Sequence, residues 1–213
     1  MASVGGTIGY WKDKSSSGKH YTQATAANRP SYSSTGTITF SGNGQLINAS
    51  TWTTGVNYAI FAVVKPLSST TTWRTMLRGA TTDHPVLVES GSTRLGYYNN
   101  AGSGFNQFGS LTLDGTQVAI LHVNISSTRA YTAALNGTLT MSSAATAGNA
   151  DSQPFYFLGT VNSSQPWGDI KELIIYQATL DTRDRQRIEG YLAWKWGLRL
   201  NLPTRHSYYK FRP

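Results

Sequence analysis

The chain has no cysteine among its 213 residues. Disulfides therefore hold nothing together, no thiol is available as a nucleophile, and thiolate metal sites are excluded. A protein made in a reducing cytosol, or a bacterial or viral product, is the expected setting. Charge is also scarce: only 13% of residues are Asp, Glu, Lys or Arg, and ten of them are acidic. Long apolar runs are missing too. No stretch approaches the ~18 residues a membrane span needs, so no membrane partner is expected. The opening residues Met1 to Gly6 carry no charged segment followed by an apolar run, so no signal peptide is expected.

What is present is a β-sheet vocabulary. Thr and Tyr suit strands, and Gly and Asn suit turns. Residues 1–36 are polar and irregular and read as a long arm anchored by Tyr10 and Trp11. From Thr37 short strands follow one another. Tyr58 to Lys65 is an almost continuous apolar run, as in a central strand covered on both faces. Further strands are expected at 73–77, 85–89, 94–98, 117–125, 154–159 and 170–176. The pair 130–135 and 138–141 flanks Asn136-Gly137, a strong hairpin signal because both residues tolerate positive φ. Many short strands without intervening helices indicate a sandwich or barrel.

One helix is expected over 180–198. Asp181 is placed to cap it and Asp184 to sit in its first turn, where the dipole favours negative charge. Ile188, Leu192 and Trp196 form one stripe with Tyr191 beside it, and Gly197 is placed to end it. With no internal repeat and no second core, 1–213 reads as a single domain. Net charge is +8, and the tail 199–213 is purely basic in its charged residues. Two readings of Arg199, Arg205, Lys210 and Arg212 stay open: docking on an acidic partner, or a solvated tail paired with acids elsewhere. No nucleic-acid-binding motif is present, so no such partner is expected.

Catalytic constellations are hard to find. Glycosidase chemistry needs two carboxylates flanking the bond. Asp169 and Glu172 are three apart, which on a regular strand puts them on opposite faces, and Asp83 and Glu89 are isolated. His20, His84, His122 and His206 are dispersed, and no Gly-x-Ser-x-Gly elbow occurs. The expectation is a non-enzyme with no cofactor and no metal site. Calcium would be the metal best suited to such a chain, with Asp151 and Asn149 the nearest to a loop site. Asn48, Asn124, Asn136 and Asn162 fit the glycosylation pattern, which matters only in a eukaryotic secretory pathway. Glycan binding needs aromatic faces and fixed amides. Tyr97, Tyr98, Asn99, Asn100, Phe105 and Asn106 supply both in a Gly-rich segment, and Trp167 closes a second one. The alternative reading makes these rings core positions and these amides turn formers.

Three stretches carry a resemblance. The first is Trp11-Lys12-Asp13-Lys14-Ser15 with Gln23 to Pro30. The second is Pro154 to Gly159 leading into Gly168 to Tyr176. The third is Leu180-Asp181, Arg185 to Leu198, Leu202-Pro203 and His206. Together they resemble the laminin-G-like, concanavalin A-like domains common in bacteriophage structural proteins and bacterial surface proteins. That resemblance implies an all-β jelly roll of two antiparallel sheets with one C-terminal helix. It also implies a virion structural protein, a capsid decoration or fibre domain on the virion surface, or else a carbohydrate-binding module recognising a cell-surface polysaccharide. The partners would be capsid or other virion proteins, further copies of the chain, and polysaccharide. Relatives begin with an extra strand that is replaced here by Ser3 to Gly9, which leaves either an exposed sheet edge or a re-routed N-terminus, and an exposed edge invites pairing with another chain. On this reading Tyr10, Trp11, Arg199, Arg205, Tyr208, Tyr209, Lys210, Phe211 and Arg212 are the assembly contacts, Tyr and Phe anchoring and the cations steering.

Overall fold

The computed structural model describes residues 6–52, 57–68, 71–80, 83–100, 102, 104–126, 130–141, 154–159 and 164–213. Asn149, Asp151 and Asn162 lie outside the described residues. The strands are β1 (Gly6–Thr7), β2 (Tyr10–Trp11), β3 (Tyr21–Thr22), β4 (Ser31–Tyr32), β5 (Ile38–Phe40), β6 (Leu46–Ile47), β7 (Tyr58–Pro66) and β8 (Arg74–Arg78). They continue as β9 (His84–Val88), β10 (Arg94–Asn99), β11 (Gly104–Thr112), β12 (Ala119–Ile125), β13 (Tyr131–Leu135), β14 (Thr138–Met141), β15 (Phe157–Leu158) and β16 (Gly168–Tyr176), followed by helix α1 (Thr182–Lys195). They form two antiparallel eight-stranded sheets. Sheet A has the order β1-β4-β5-β16-β7-β12-β13-β14, and sheet B the order β11-β10-β9-β8-β15-β6-β3-β2.

The apolar run at β7 is central, as expected, and it is covered on both sides. Ile60, Ala62 and Val64 face the core between the sheets, while Ala59, Phe61 and Val63 face α1. The hairpin signal is also borne out. Asn136 and Gly137 have φ of 51° and 76°, and Leu135 pairs with Thr138 across the turn. Positive φ at both central residues matches the right-handed twist of the flanking strands.

The helix is shorter than 180–198, running from Thr182 to Lys195. Asp181 caps it by accepting the Asp184 N–H at 2.8 Å. Just past Gly197, the Leu198 N–H returns to Ala193 O at 2.7 Å, satisfying a terminal carbonyl. Leu192 and Ala193 are fully buried against sheet A, with Ile188 and Trp196 at the margin.

Two expectations need correction. Residues 6–36 are not an irregular arm, since they supply four two-residue strands. The polar residues 13–19 are organised by one carboxylate. Asp13 accepts from the Ser15 and Lys19 amides and from the Ser15 and Ser17 hydroxyls at 2.6–2.9 Å. Burial opposes its ionisation, but these bonds outweigh burial and hold it below the usual carboxylate range.

Asp169 and Glu172, in turn, do not face opposite ways. A register shift on β16 between Ile170 and Glu172 inserts one residue. Asp169 and Glu172 both then fall on the α1 side of sheet A, since Glu172 pairs with Val63 and Asp169 neighbours the inward Ile170.

Candidate functional site

The two sheets are finished differently on their outer faces. On sheet A, α1 and the segment after it lie over Phe61, Val63 and Ile120. The tail is part of this cover. His206 Nε2 stands 3.1 Å from Glu189 Oε2, and Arg185 Nη1 reaches the same carboxylate at 2.8 and 2.9 Å. The Trp194 indole donates to Tyr208 O and Phe211 O. Arg199 and Arg212 stack over Trp194, and Arg199 also over Tyr209.

The tail is therefore ordered against its own helix, so much of the proposed assembly set is already engaged. Tyr208 packs on Gly190, where a Cβ would lie 2.5 Å from it. Tyr209 packs at the rim of the sheet A–helix core, and Trp11 packs against the core between the sheets. Arg205, Lys210, Phe211 and Arg212 stay exposed, as does Tyr10 on edge strand β2, where it lies 5.2 Å from His20.

On sheet B the outer face carries side chains instead of a helix. Towards its β11 edge it carries a trio of half-buried rings. Trp73 meets Tyr98 edge-on at 5.3 Å and Phe105 at 5.7 Å. Gly96 makes the trio possible. A Cβ there would stand 2.1 Å from Asn106 O and 2.8 Å from the Phe105 ring, so only a residue without a side chain can form this floor. Trp73 is aimed by its neighbour. Arg74 is fully buried and donates to the carbonyls of Leu67, Glu89 and Ser92, which fixes the start of β8. Arg94 lies over Phe105 and is paired with Glu89 at the rim. One amide shares this face: Gln107, opposite Gly96 in the hairpin, donates to Leu111 O at 2.9 Å.

Deeper on this side, the Thr75 hydroxyl donates to Gln165 Oε1 at 2.5 Å and stands 3.0 Å from His84 Nδ1. With its own hydrogen committed to Gln165, Thr75 accepts from His84, which places the imidazole proton on Nδ1. Burial, with Arg78 adding to it, lowers the His84 pKa to about 4.

Some of the expected glycan contacts are thus brought together and others are not. Tyr98 and Phe105 gather on the outer face, whereas Asn106, opposite Tyr97 in the hairpin, falls on the inward side and Asn100 is exposed where β10 ends. Tyr97 does not: it points into the sandwich and stacks on Tyr131 at 3.9 Å with planes 7° apart. Trp167 is fully buried between the sheets, and Asn99 is buried as well. The expected Gly-rich loop is the hairpin β10–β11, and side chains alternate across its strands. Trp73 was missed as a site residue. The available signal was its spacing of two from Thr75, which puts it on the outward side of β8.

The asparagine and histidine patterns resolve similarly. Asn48 is buried, with its amide bound to Lys19 O, and Asn136 is a turn residue accepting from the Ile120 amide. Among the described residues no group of three His, Asp or Glu is placed to hold a metal ion.

No protein-family model matches the chain, and no characterised protein matches it in sequence. Solved structures do match its fold. A Trypanosoma rangeli sialidase in complex with sialic acid superimposes with a TM-score of 0.59 at 9% identity, over 90% of this chain and 32% of that one. A heptameric SAP-like pentraxin from Limulus polyphemus matches at 0.53 and 16% identity, over 74% of this chain and 81% of that one. A GH54 α-L-arabinofuranosidase matches at 0.51 and 14% identity, over 86% of this chain and 50% of that one. The chain spans about a third of the length of the sialidase it matches.

At such identities the likeness concerns the fold: a jelly-roll sandwich of the pentraxin kind. It also overturns the expectation of a non-enzyme. Glycosidases contain this fold, so the architecture excludes no activity. The argument from opposed carboxylates fails as well, because Asp169 and Glu172 share a face.

Proposed function

We propose that the chain is a single carbohydrate-binding β-sandwich domain whose ligand lies on the outer face of sheet B. The observation that carries this reading is the ring trio Trp73, Tyr98 and Phe105, laid over Gly96 with the Gln107 amide on the same face. A sugar presents an apolar ring face edged by hydroxyls, and it matches flat aromatic carbon ringed by fixed polar groups. Sialidase and arabinofuranosidase chains with the same fold are consistent with saccharide as the ligand class.

A glycan array followed by calorimetry on the best ligand tests the reading. Trp73→Ala and Tyr98→Ala should each weaken binding at least tenfold while leaving the thermal midpoint near that of the parent. Undiminished binding by both variants overturns it.

The setting we propose is a virion surface, with the domain in several copies as a decoration or fibre protein that holds host polysaccharide. The support is the sequence resemblance centred on 180–206, a segment that forms the helix and tail docked on sheet A. Co-sedimentation of the purified protein with a particle tests this setting, and so does its mass in solution. A strictly monomeric protein that no particle retains rules it out.

A further inference from the structure

A concave surface lies away from the ring trio, between the end of β16 and α1. It is a cleft lined by Ile174, Tyr176 and Leu180 from the strand side and by Asp184, Arg187, Ile188 and Tyr191 from the helix, with Pro213 at its margin. The isoleucines belong to the rim of the sheet A–helix core, so the floor is apolar. The two tyrosines are unusual for rings beside a core, being 41% and 42% exposed.

Neither ring is loose. Tyr176 has its edge on Phe61 at 6.5 Å. The Tyr191 hydroxyl lies 3.1 Å from Glu172 Oε1 and receives Lys195 Nζ at 2.8 Å. These are preorganised apolar faces held open to solvent, and they lose little entropy when a ligand covers them.

The charge of the cleft is equally specific. From Thr182 to Pro213 lie eight of the 18 basic residues and only two of the ten acidic ones. One of those two acids, Glu189, is buried and already bound by Arg185 and His206. Arg183 and Arg187, one turn apart on the exposed side of α1, have no ion pair or hydrogen bond among the described residues. Arg187 lines the cleft, and Asp184 on the same rim offers a carboxylate that can accept sugar hydroxyls.

We propose that this cleft binds an acidic sugar residue of a polysaccharide, with the sugar ring against Tyr176 and Tyr191 and its carboxylate paired with Arg187. Apolar floor, aromatic walls, one free guanidinium and one acceptor match a uronic acid: ring face, anionic group and hydroxyls. A planar carboxylate takes two parallel N–H bonds from a guanidinium. Arg187, with Arg183 one turn away on the same exposed side, would draw in a polymer carrying one such group per residue. The choice of saccharide over other anions rests on the carbohydrate-binding reading above, but the surface itself is separate from sheet B.

The probe is polygalacturonate, with its fully methyl-esterified form and double-stranded DNA as comparison polymers. Calorimetry on the full chain is repeated with Arg187→Gln, Tyr176→Ala and Trp73→Ala. Polygalacturonate should bind, and the ester and DNA should bind at least tenfold more weakly. Arg187→Gln should cost about tenfold, as for one charge-assisted contact, and Tyr176→Ala a similar factor. Equal binding of the ester, equal binding of DNA, or no effect of Arg187→Gln overturns the proposal. If Trp73→Ala abolishes polygalacturonate binding while Arg187→Gln does nothing, the cleft is wrong and the sheet B surface stands. If the cleft variants lose binding and Trp73→Ala affects no sugar, the cleft stands and the sheet B surface falls.

Discussion

His206 meets Glu189 at 3.1 Å with both side chains 1% exposed, so a residue of the final segment is part of a buried ion network under the helix. The His206 Nδ1 accepts the Tyr208 amide at 3.2 Å, which leaves Nε2–H to donate to the carboxylate. His206→Ala leaves one carboxylate oxygen short of a donor, although Arg185 still holds the group. The expected loss is about 1–3 kcal/mol, read from urea denaturation midpoints.

Removing residues 204–213 should do more. The tail packs on its own helix, through Tyr208 on Gly190 and His206 on Glu189. The truncation therefore uncovers Gly190 and strips His206 from Glu189. A clearly lowered melting temperature is the expected result, and an unchanged one would mean that the tail contributes nothing to the domain.

Trp196 sits half-buried over β16, donating its indole N–H to Glu172 Oε2 at 2.6 Å. Trp196→Ala removes the ring and orphans that bond, for a loss of about 3 kcal/mol, the lower end for such truncations. Trp196→Phe keeps most of the packing and should lose about 1 kcal/mol. Equal losses in the two would show that the hydrogen bond, and not the ring, holds the helix.

Adjacent tyrosines should separate stability from binding. Tyr97→Ala opens a cavity beside Tyr131 and Phe108 and should cost about 3–5 kcal/mol. Tyr98→Ala, on the outer face, should change stability far less and glycan affinity more. Reversal of that order would place the ligand surface elsewhere.

Acid should loosen the fold through two histidines. His122 is 1% exposed and lies 4.6 Å from Phe61, and among the described residues neither ring nitrogen has a hydrogen bond of good geometry, Asn124 being its polar neighbour. Burial lowers its pKa to about 4, with Glu189 opposing and Arg185 reinforcing the shift. His84 is lowered to about 4 as well. Both groups take up protons more readily when unfolded. Their contribution is therefore complete above about pH 6.5 and is lost as pH falls towards 4. Denaturation midpoints should drop between pH 7 and pH 4.5, and His122→Leu should shrink that drop. An identical pH profile in the variant would assign the acid response to other groups.

Local rules carried the sequence reading far where a signal is local. The β7 run, the Asp181 cap and the Asn136-Gly137 turn each depend on neighbours within a few residues, and each formed as expected. Facing was less legible. Tyr97 and Tyr98 are chemically identical, and β10 has register shifts on both sides of Gly96, so composition does not say which ring points outward. Likewise one extra residue at Lys171 brings Asp169 and Glu172 to the same side. The two-residue strands before Tyr32 have no periodicity to read. They exist because β5, β6 and their own neighbours offer edges to pair with.

The strand order of sheet A has a consequence for how the molecule is made. β16 lies between β5 and β7, which precede it by more than a hundred residues. While the chain emerges from the ribosome, β7 gains β12 on one side, but on the other this apolar strand keeps a row of unpaired peptide N–H and C=O groups until residues 168–176 have been synthesised. Pairings this distant in sequence close slowly, on the scale of milliseconds to seconds. A nascent chain with such a flank is prone to pair with its neighbours on a polysome. Production of soluble protein should therefore depend on how fast the last quarter of the chain is completed, and a stall before β16 should yield aggregates.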